Sequence, residues 1–127
     1  MKKYCFILIL LALANASYGQ TEWVVPESEK SVVNPYAENQ IATQKGAQLF
    51  SKLCWTCHGK TGQGDGPAGA NLMPKPKNFS LESVQNQTDG ELYWKLSNGN
   101  GMMIPYKHSL SKEQLWQLVN FIRTLKQ

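Results

Sequence analysis

Cys54-Trp55-Thr56-Cys57-His58 constrains this 127-residue chain more than any other feature. Two cysteines three positions apart lie about one helical turn from each other, so both sulfurs reach the same edge of a flat macrocycle. A histidine directly after the second cysteine then brings its imidazole under that ring. This is the spacing of covalent haem attachment. A thioredoxin-like redox pair would follow a strand in a βαβ unit, and no strand pattern of any length is present. A zinc site would need further cysteines or histidines, and outside the motif His108 is the only histidine. A single disulfide is the remaining alternative for an exported chain, and the adjoining His58 argues against it.

The rest of the chain is what a buried macrocycle would require. Gly59 to Ser80 is rich in glycine and proline (Gly62, Gly64, Gly66, Pro67, Gly69, Pro74, Pro76) and reads as loop. Asn100 to Ser109 is a second loop. Between them, Thr88-Asp89-Gly90-Glu91 opens a short helix that ends at Asn98-Gly99. Helical signals also run from near Gln40 to Leu53, with Gly46 inside them. The clearest helix runs from Ser111 to Leu125. It opens with a Ser111/Gln114 capping box and carries an apolar stripe at Leu115, Leu118, Val119, Ile122 and Leu125. Arg123 and Lys126 suit the negative end of its dipole. An all-α domain of three to four helices and about 85 residues has little apolar core of its own. Long loops within it make sense if they wrap a haem.

The segments flanking this domain read differently. Lys2 and Lys3, the apolar run Phe6 to Ala14 and small residues near Ala16 and Gly19 form a secretory signal over residues 1–19. The run is shorter than the roughly 20 residues that span a bilayer, so no stable membrane insertion is expected once it is cleaved. Cys5 precedes the apolar run and goes with the signal. Residues 20–40 form an extension with Pro26 and Pro35 and no periodicity; it is either a loosely ordered arm or a strap packed on the domain. Residues 41–127 are the haem domain. Cleavage removes two of the 13 basic residues and none of the nine acids, leaving a net charge of +2, which gives no case for nucleic acid.

With these pieces assembled, the chain resembles the class I bacterial cytochromes c, periplasmic monohaem proteins. The likeness runs from about Ile41 to Leu125. Its carriers are Gly46 with Phe50, the Cys54-to-His58 motif, Gly64-Asp65-Gly66-Pro67-Ala68, the Asp89-to-Gly99 helix, a Met-x-Pro-aromatic loop, and Trp116 to Arg123. The resemblance implies one covalent haem c with iron, held by Cys54 and Cys57. It implies His58 as one axial ligand and a methionine as the other. Counting back from Tyr106 and the last helix favours Met103 over the neighbouring Met102. Ile104 departs from the proline usual at its position. Met73 reads as filler and His108 as a surface loop residue. The resemblance also implies that the Pro67 carbonyl holds the free nitrogen of His58, that Trp94 or Tyr93 lies beside the haem, and that Phe50 and Phe121 meet where the first and last helices cross.

The function implied is electron transfer to and from redox partner proteins such as an oxidase, reductase or dehydrogenase, as a free shuttle or as an electron-entry subunit. Lys52, Lys60, Lys75, Lys77 and Lys107 flank the expected haem region and suit an acidic partner. A haem peroxidase or a gas-binding sensor is the alternative. The first needs an acid–base residue on the distal side, and no histidine–arginine pairing is evident.

Overall fold

The computed structural model describes residues 23–127; the expected signal segment 1–19 lies outside them. The described elements, in chain order, are α1 (Glu27–Lys30), α2 (Gln40–Leu53), α3 (Trp55–His58), α4 (Glu82–Gln85), α5 (Asp89–Asn98), a 3-10 turn (Tyr106–His108) and α6 (Lys112–Thr124). Among the described residues there are no strands, only one isolated bridge between Asn100 and Met103. The all-α class expected from the sequence is therefore what the chain adopts, with six α-helices among the described residues, two more than the upper expectation. The additional ones are single turns.

The long helices begin where side chains satisfy their first backbone donors. The Asn39 side chain accepts from Ala42 N at the start of α2. Thr88 and Glu91 form a reciprocal capping box on α5, and Ser111 and Gln114 form another on α6. Each such cap is worth about 1 kcal/mol.

Helices α2 and α6 cross in close contact. A Cβ at Gly46 would fall on the Gln117 carbonyl oxygen, so only glycine lets the two backbones approach this closely. Beside that crossing Phe50 packs on Phe121, with ring centroids 5.0 Å apart. Phe50, Leu115, Leu118 and Val119 are the largest fully buried side chains; each contributes roughly 1.5–3 kcal/mol through burial. Leu92 and Leu96 of α5 and Val84 of α4 complete the cluster, and Tyr93 stacks on Trp116 at 4.1 Å.

Helix α6 is buried more completely than its apolar stripe suggests. Trp116, Gln117 and Asn120 are buried alongside Leu115, Leu118, Val119 and Ile122. The causes are tertiary: α2 covers Gln117, Tyr93 of α5 stacks on Trp116, and the described part of the extension, which is a strap and not a loose arm, reaches Asn120. Val25 and Asn34 are buried, and Gly90 packs directly against the Glu29 carbonyl. Asn34 donates to Asp89 Oδ2 at 2.9 Å and to Asn120 Oδ1 at 2.7 Å. Asn120 in turn donates to the Tyr36 carbonyl at 2.6 Å. From the far end of α6, Arg123 donates to Asp89 Oδ1 at 2.7 Å and to the carbonyls of Gln85 and Gln87. One polar network thus joins the strap, α4, α5 and α6, with its buried groups paired.

Candidate functional site

The motif sits at a break between two helices. Cys54 closes α2, its N–H donating to the Phe50 carbonyl at 3.0 Å, and α3 begins at Trp55. His58 N donates to Cys54 O at 2.9 Å and Gly59 N to Trp55 O at 2.8 Å, so Cys54 to His58 form one helical turn. Both thiols are free; Cys54 is buried and Cys57 half-buried.

The glycine-rich loop holds this turn. Gly64 N donates to His58 O at 2.7 Å, Gly66 N to Cys57 O at 3.2 Å and Ala68 N to Thr56 O at 2.8 Å. These are the carbonyls that a helix end leaves without partners. A side chain at Gly66 would collide with the backbone of Thr56 and Cys57, which explains why the loop needs glycine there.

His58 is held by the far end of the same loop. Its Nδ1 lies 3.1 Å from the Lys77 carbonyl oxygen, and its ring stacks on Phe79 with centroids 4.4 Å apart and planes 20° apart. A carbonyl only accepts, so Nδ1 carries the hydrogen and the lone pair of the neutral ring lies on Nε2. Burial lowers the pKa of His58 below the usual histidine value, with the Lys77 bond acting in the opposite direction. The ring is thereby kept neutral and able to coordinate a metal.

The expectation for Pro67 is corrected here. Pro67 is exposed, and the backbone on either side of it turns its N–H groups towards Cys57 and Thr56. The oxygen that meets the imidazole belongs to Lys77. No side-chain signal marks such a contact in advance, since any residue offers a carbonyl.

The methionine loop is a tight hairpin. Asn100 N donates to Met103 O at 2.9 Å and Met103 N to Asn100 O at 3.0 Å. Met102 lies at its tip and is 71% exposed, whereas Met103 is half-buried against the core cluster. Tyr106 anchors the loop by donating from its hydroxyl to Leu53 O at 3.3 Å, next to Cys54. Burial raises the Tyr106 pKa, and the two motif thiols add to the rise. Met73 is 80% exposed and His108 is exposed in the 3-10 turn. Of the two candidate aromatics on α5, Tyr93 belongs to the core stack and Trp94 is half-exposed outside it.

These residues fit a haem. The donor set is two free thiols one turn apart, a neutral imidazole and a half-buried thioether. Exposed apolar side chains occur in the same segments of the chain: Leu53 just before the motif, Met102 and Ile104 in the hairpin, and Met73 and Leu81 on either side of Lys77–Phe79 in sequence. Apolar surface of this kind suits a flat macrocycle. A dithiol redox centre fits less well. Burial, with a contribution from Cys57, pushes the Cys54 thiol up to about 12, whereas reactive cysteines have lowered values. Among the described residues no group of three or more His, Cys, Asp or Glu side chains is placed to hold a metal ion.

Comparison with known proteins agrees with this chemistry. A family model described as cytochrome c matches residues 43–126. Cytochrome c-L of Methylorubrum extorquens is 30% identical over 93 residues, which is 72% of this chain and 44% of that protein. The chain therefore spans less than half the length of this curated relative. Among solved structures, a chain of the Kuenenia stuttgartiensis reducing HAO-like protein complex superposes with a TM-score of 0.63 and 25% identity, covering 84% of this chain and 53% of the other. The KustC0563 c-type cytochrome superposes with a TM-score of 0.56 and 27% identity, covering 65% of this chain and 98% of its own length.

Proposed function

The chain belongs to the cytochrome c family and so transfers electrons through covalently held haem; from that premise we propose that it is an exported monohaem carrier with His58 and Met103 as axial ligands. The observation that carries the proposal is the motif turn itself: two free thiols followed at once by an imidazole whose Nδ1 is tied to the Lys77 carbonyl. When bound, haem c supplies a one-electron couple at its iron. Cys54 and Cys57 hold it as thioethers. His58 would offer Nε2 to the iron, and Met103, restrained by its reciprocal bonds to Asn100, would offer a soft neutral sulfur. Trp94, half-exposed on α5, is proposed to flank the ring. A haem held by both of these side chains would transfer electrons and would offer a substrate no free position at the iron.

Residues 1–19 are proposed to direct export to the periplasm and to be cleaved. Among the described residues no helix is long and apolar enough to cross a membrane.

The ferric optical spectrum tests the ligands. A weak far-red sulfur–iron charge-transfer band is expected, lost in Met103→Ala and retained in Met102→Ala. Retention in Met103→Ala would transfer the role to Met102 or Met73. Absence from the unmutated protein would remove methionine ligation and favour an enzyme or gas-sensor role, for which carbon monoxide binding to the reduced protein is the direct check.

A second reading is favoured by the strap. The likeness to the Kuenenia complex subunit takes in 84% of the chain, more than the 43–126 region that defines the family match. We propose on this basis that the protein also docks on a larger redox partner, an oxidase, reductase or dehydrogenase. Co-purification of such an enzyme with the tagged protein, lost on deleting residues 23–36, would distinguish a docked subunit from a free shuttle.

A further inference from the structure

Phe79 lies in a glycine- and proline-rich loop, yet both its backbone groups and its half-buried ring are held by partners. Its N–H donates to Gly62 O at 2.7 Å. Its carbonyl accepts from the Gln85 side chain at 2.6 Å, and the same Gln85 nitrogen donates to Ile122 O of α6 at 3.0 Å. One edge of the ring meets Phe50, with centroids 6.0 Å apart and planes at 70°, while a face lies on the His58 imidazole. Asn78, immediately before it, accepts from both the backbone and the hydroxyl of Ser80, which fixes the turn between Lys77 and Ser80. A loop residue with both backbone groups paired and its ring between two others is a rigid support.

We propose that Phe79, keyed to α6 through Gln85, is the positioning residue that fixes the plane of the His58 imidazole and keeps Nδ1 against the Lys77 carbonyl. This rests on the reading of His58 as the axial ligand. The two contacts constrain different freedoms. The stack allows the imidazole to slide but resists rotation about its Cβ–Cγ bond, since rotation would drive the ring edge into Phe79. The Nδ1–H···O bond selects which of two flipped orientations is adopted. Lys77 and Phe79 are two residues apart on one stiffened turn, so any movement of Phe79 moves the carbonyl as well. A strong hydrogen bond to the outer nitrogen makes the imidazole a more basic ligand, which favours ferric iron. Loosening the support therefore raises the midpoint potential.

The test uses the haem-loaded protein. Phe79→Leu is expected to raise the midpoint potential and to change the spread of the haem methyl resonances in the ferric proton NMR spectrum, which reports the imidazole plane. Phe79→Tyr, which keeps the ring, is expected to retain the parent values. Gln85→Leu, which leaves the ring in place but removes its tie, is expected to shift both readouts in the same direction as Phe79→Leu. Asn34→Ala is the control that lowers stability at a distance from the site. If Phe79→Leu and Gln85→Leu lower the thermal midpoint like Asn34→Ala but leave potential and methyl spread unchanged, Phe79 is only packing and the proposal fails. Should Phe79→Leu not fold, Gln85→Leu decides alone. Parent protein lacking a low-spin, imidazole-ligated spectrum would instead overturn the ligand assignment on which the proposal stands, an outcome visible before any variant is compared.

Discussion

Asn34 joins two parts of the molecule through a single amide. Its nitrogen donates to Asp89 and Asn120, and its oxygen accepts from Tyr36 N at 2.9 Å. Asn34→Ala is expected to cost about 1–3 kcal/mol, because it leaves buried partners unpaired. It would appear as a lower urea midpoint at unchanged slope. Asn34→Asp should be worse at neutral pH, since a carboxylate cannot donate to Asp89 and repels it. One of the two carboxyl groups is then raised above its unfolded value, so the loss should lessen as the pH falls towards 4. At the same scale, the burial that holds Cys54 protonated predicts its chemistry in the haem-free chain. Iodoacetamide at pH 8 should alkylate the half-buried Cys57 well before Cys54, as peptide mass spectrometry would show; equal rates would mean that the haem-free chain does not form this turn. The sequence made the motif legible because covalent attachment depends on spacing alone. It did not reveal that Lys77, and not Pro67, faces His58, because a backbone carbonyl has no residue signature.

Among the elements, the crossing of α2 and α6 is the tightest joint. Gly46→Ala would push its methyl into the Gln117 backbone, and backbone cannot swing aside as a side chain does. A loss of about 1–3 kcal/mol is expected from such overpacking, despite alanine's better helix propensity. Chemical denaturation of the haem-loaded protein would check the sign; a stabilised variant would mean that the helices separate at little cost. The long helices were legible because capping boxes and apolar periodicity act within each segment. The single turns α1 and α4 and the 3-10 turn were not. They are too short to show a period and exist because tertiary partners hold them, as Arg123 holds the carbonyls at the end of α4. Gln117 and Asn120 fall outside the apolar stripe of α6, yet the strap and neighbouring helices bury them.

For the whole molecule, charge distribution matters more than net charge. Lys52, Lys60, Lys75, Lys77 and Lys107 are exposed and belong to the motif helices and the loops around them. Lys60 lies over the Trp55 ring, with Nζ 5.9 Å from its centroid, and Lys107 is tied to Asn98. Oxidation of the ferrous protein by ferricyanide, a small anion, should therefore slow as ionic strength rises from about 0.01 to 0.15 M, where the screening length falls from about 30 to 8 Å. Lys75→Glu with Lys77→Glu should weaken that dependence in stopped-flow measurements. A rate independent of salt in the parent protein would show that these lysines do not steer.

The sequence by itself determined the haem chemistry, the helical class and the main helix boundaries, since each depends on residues within a turn or two of one another. Tertiary structure decided which methionine is tucked against the core, which carbonyl holds the imidazole, and whether residues 23–39 pack or float. Those outcomes depend on contacts between groups far apart in the chain, such as Asn34 with Asn120, 86 residues apart, or His58 with Lys77, 19 apart. Local propensity does not specify such pairs; they form where close packing and the pairing of buried polar groups leave no other partner.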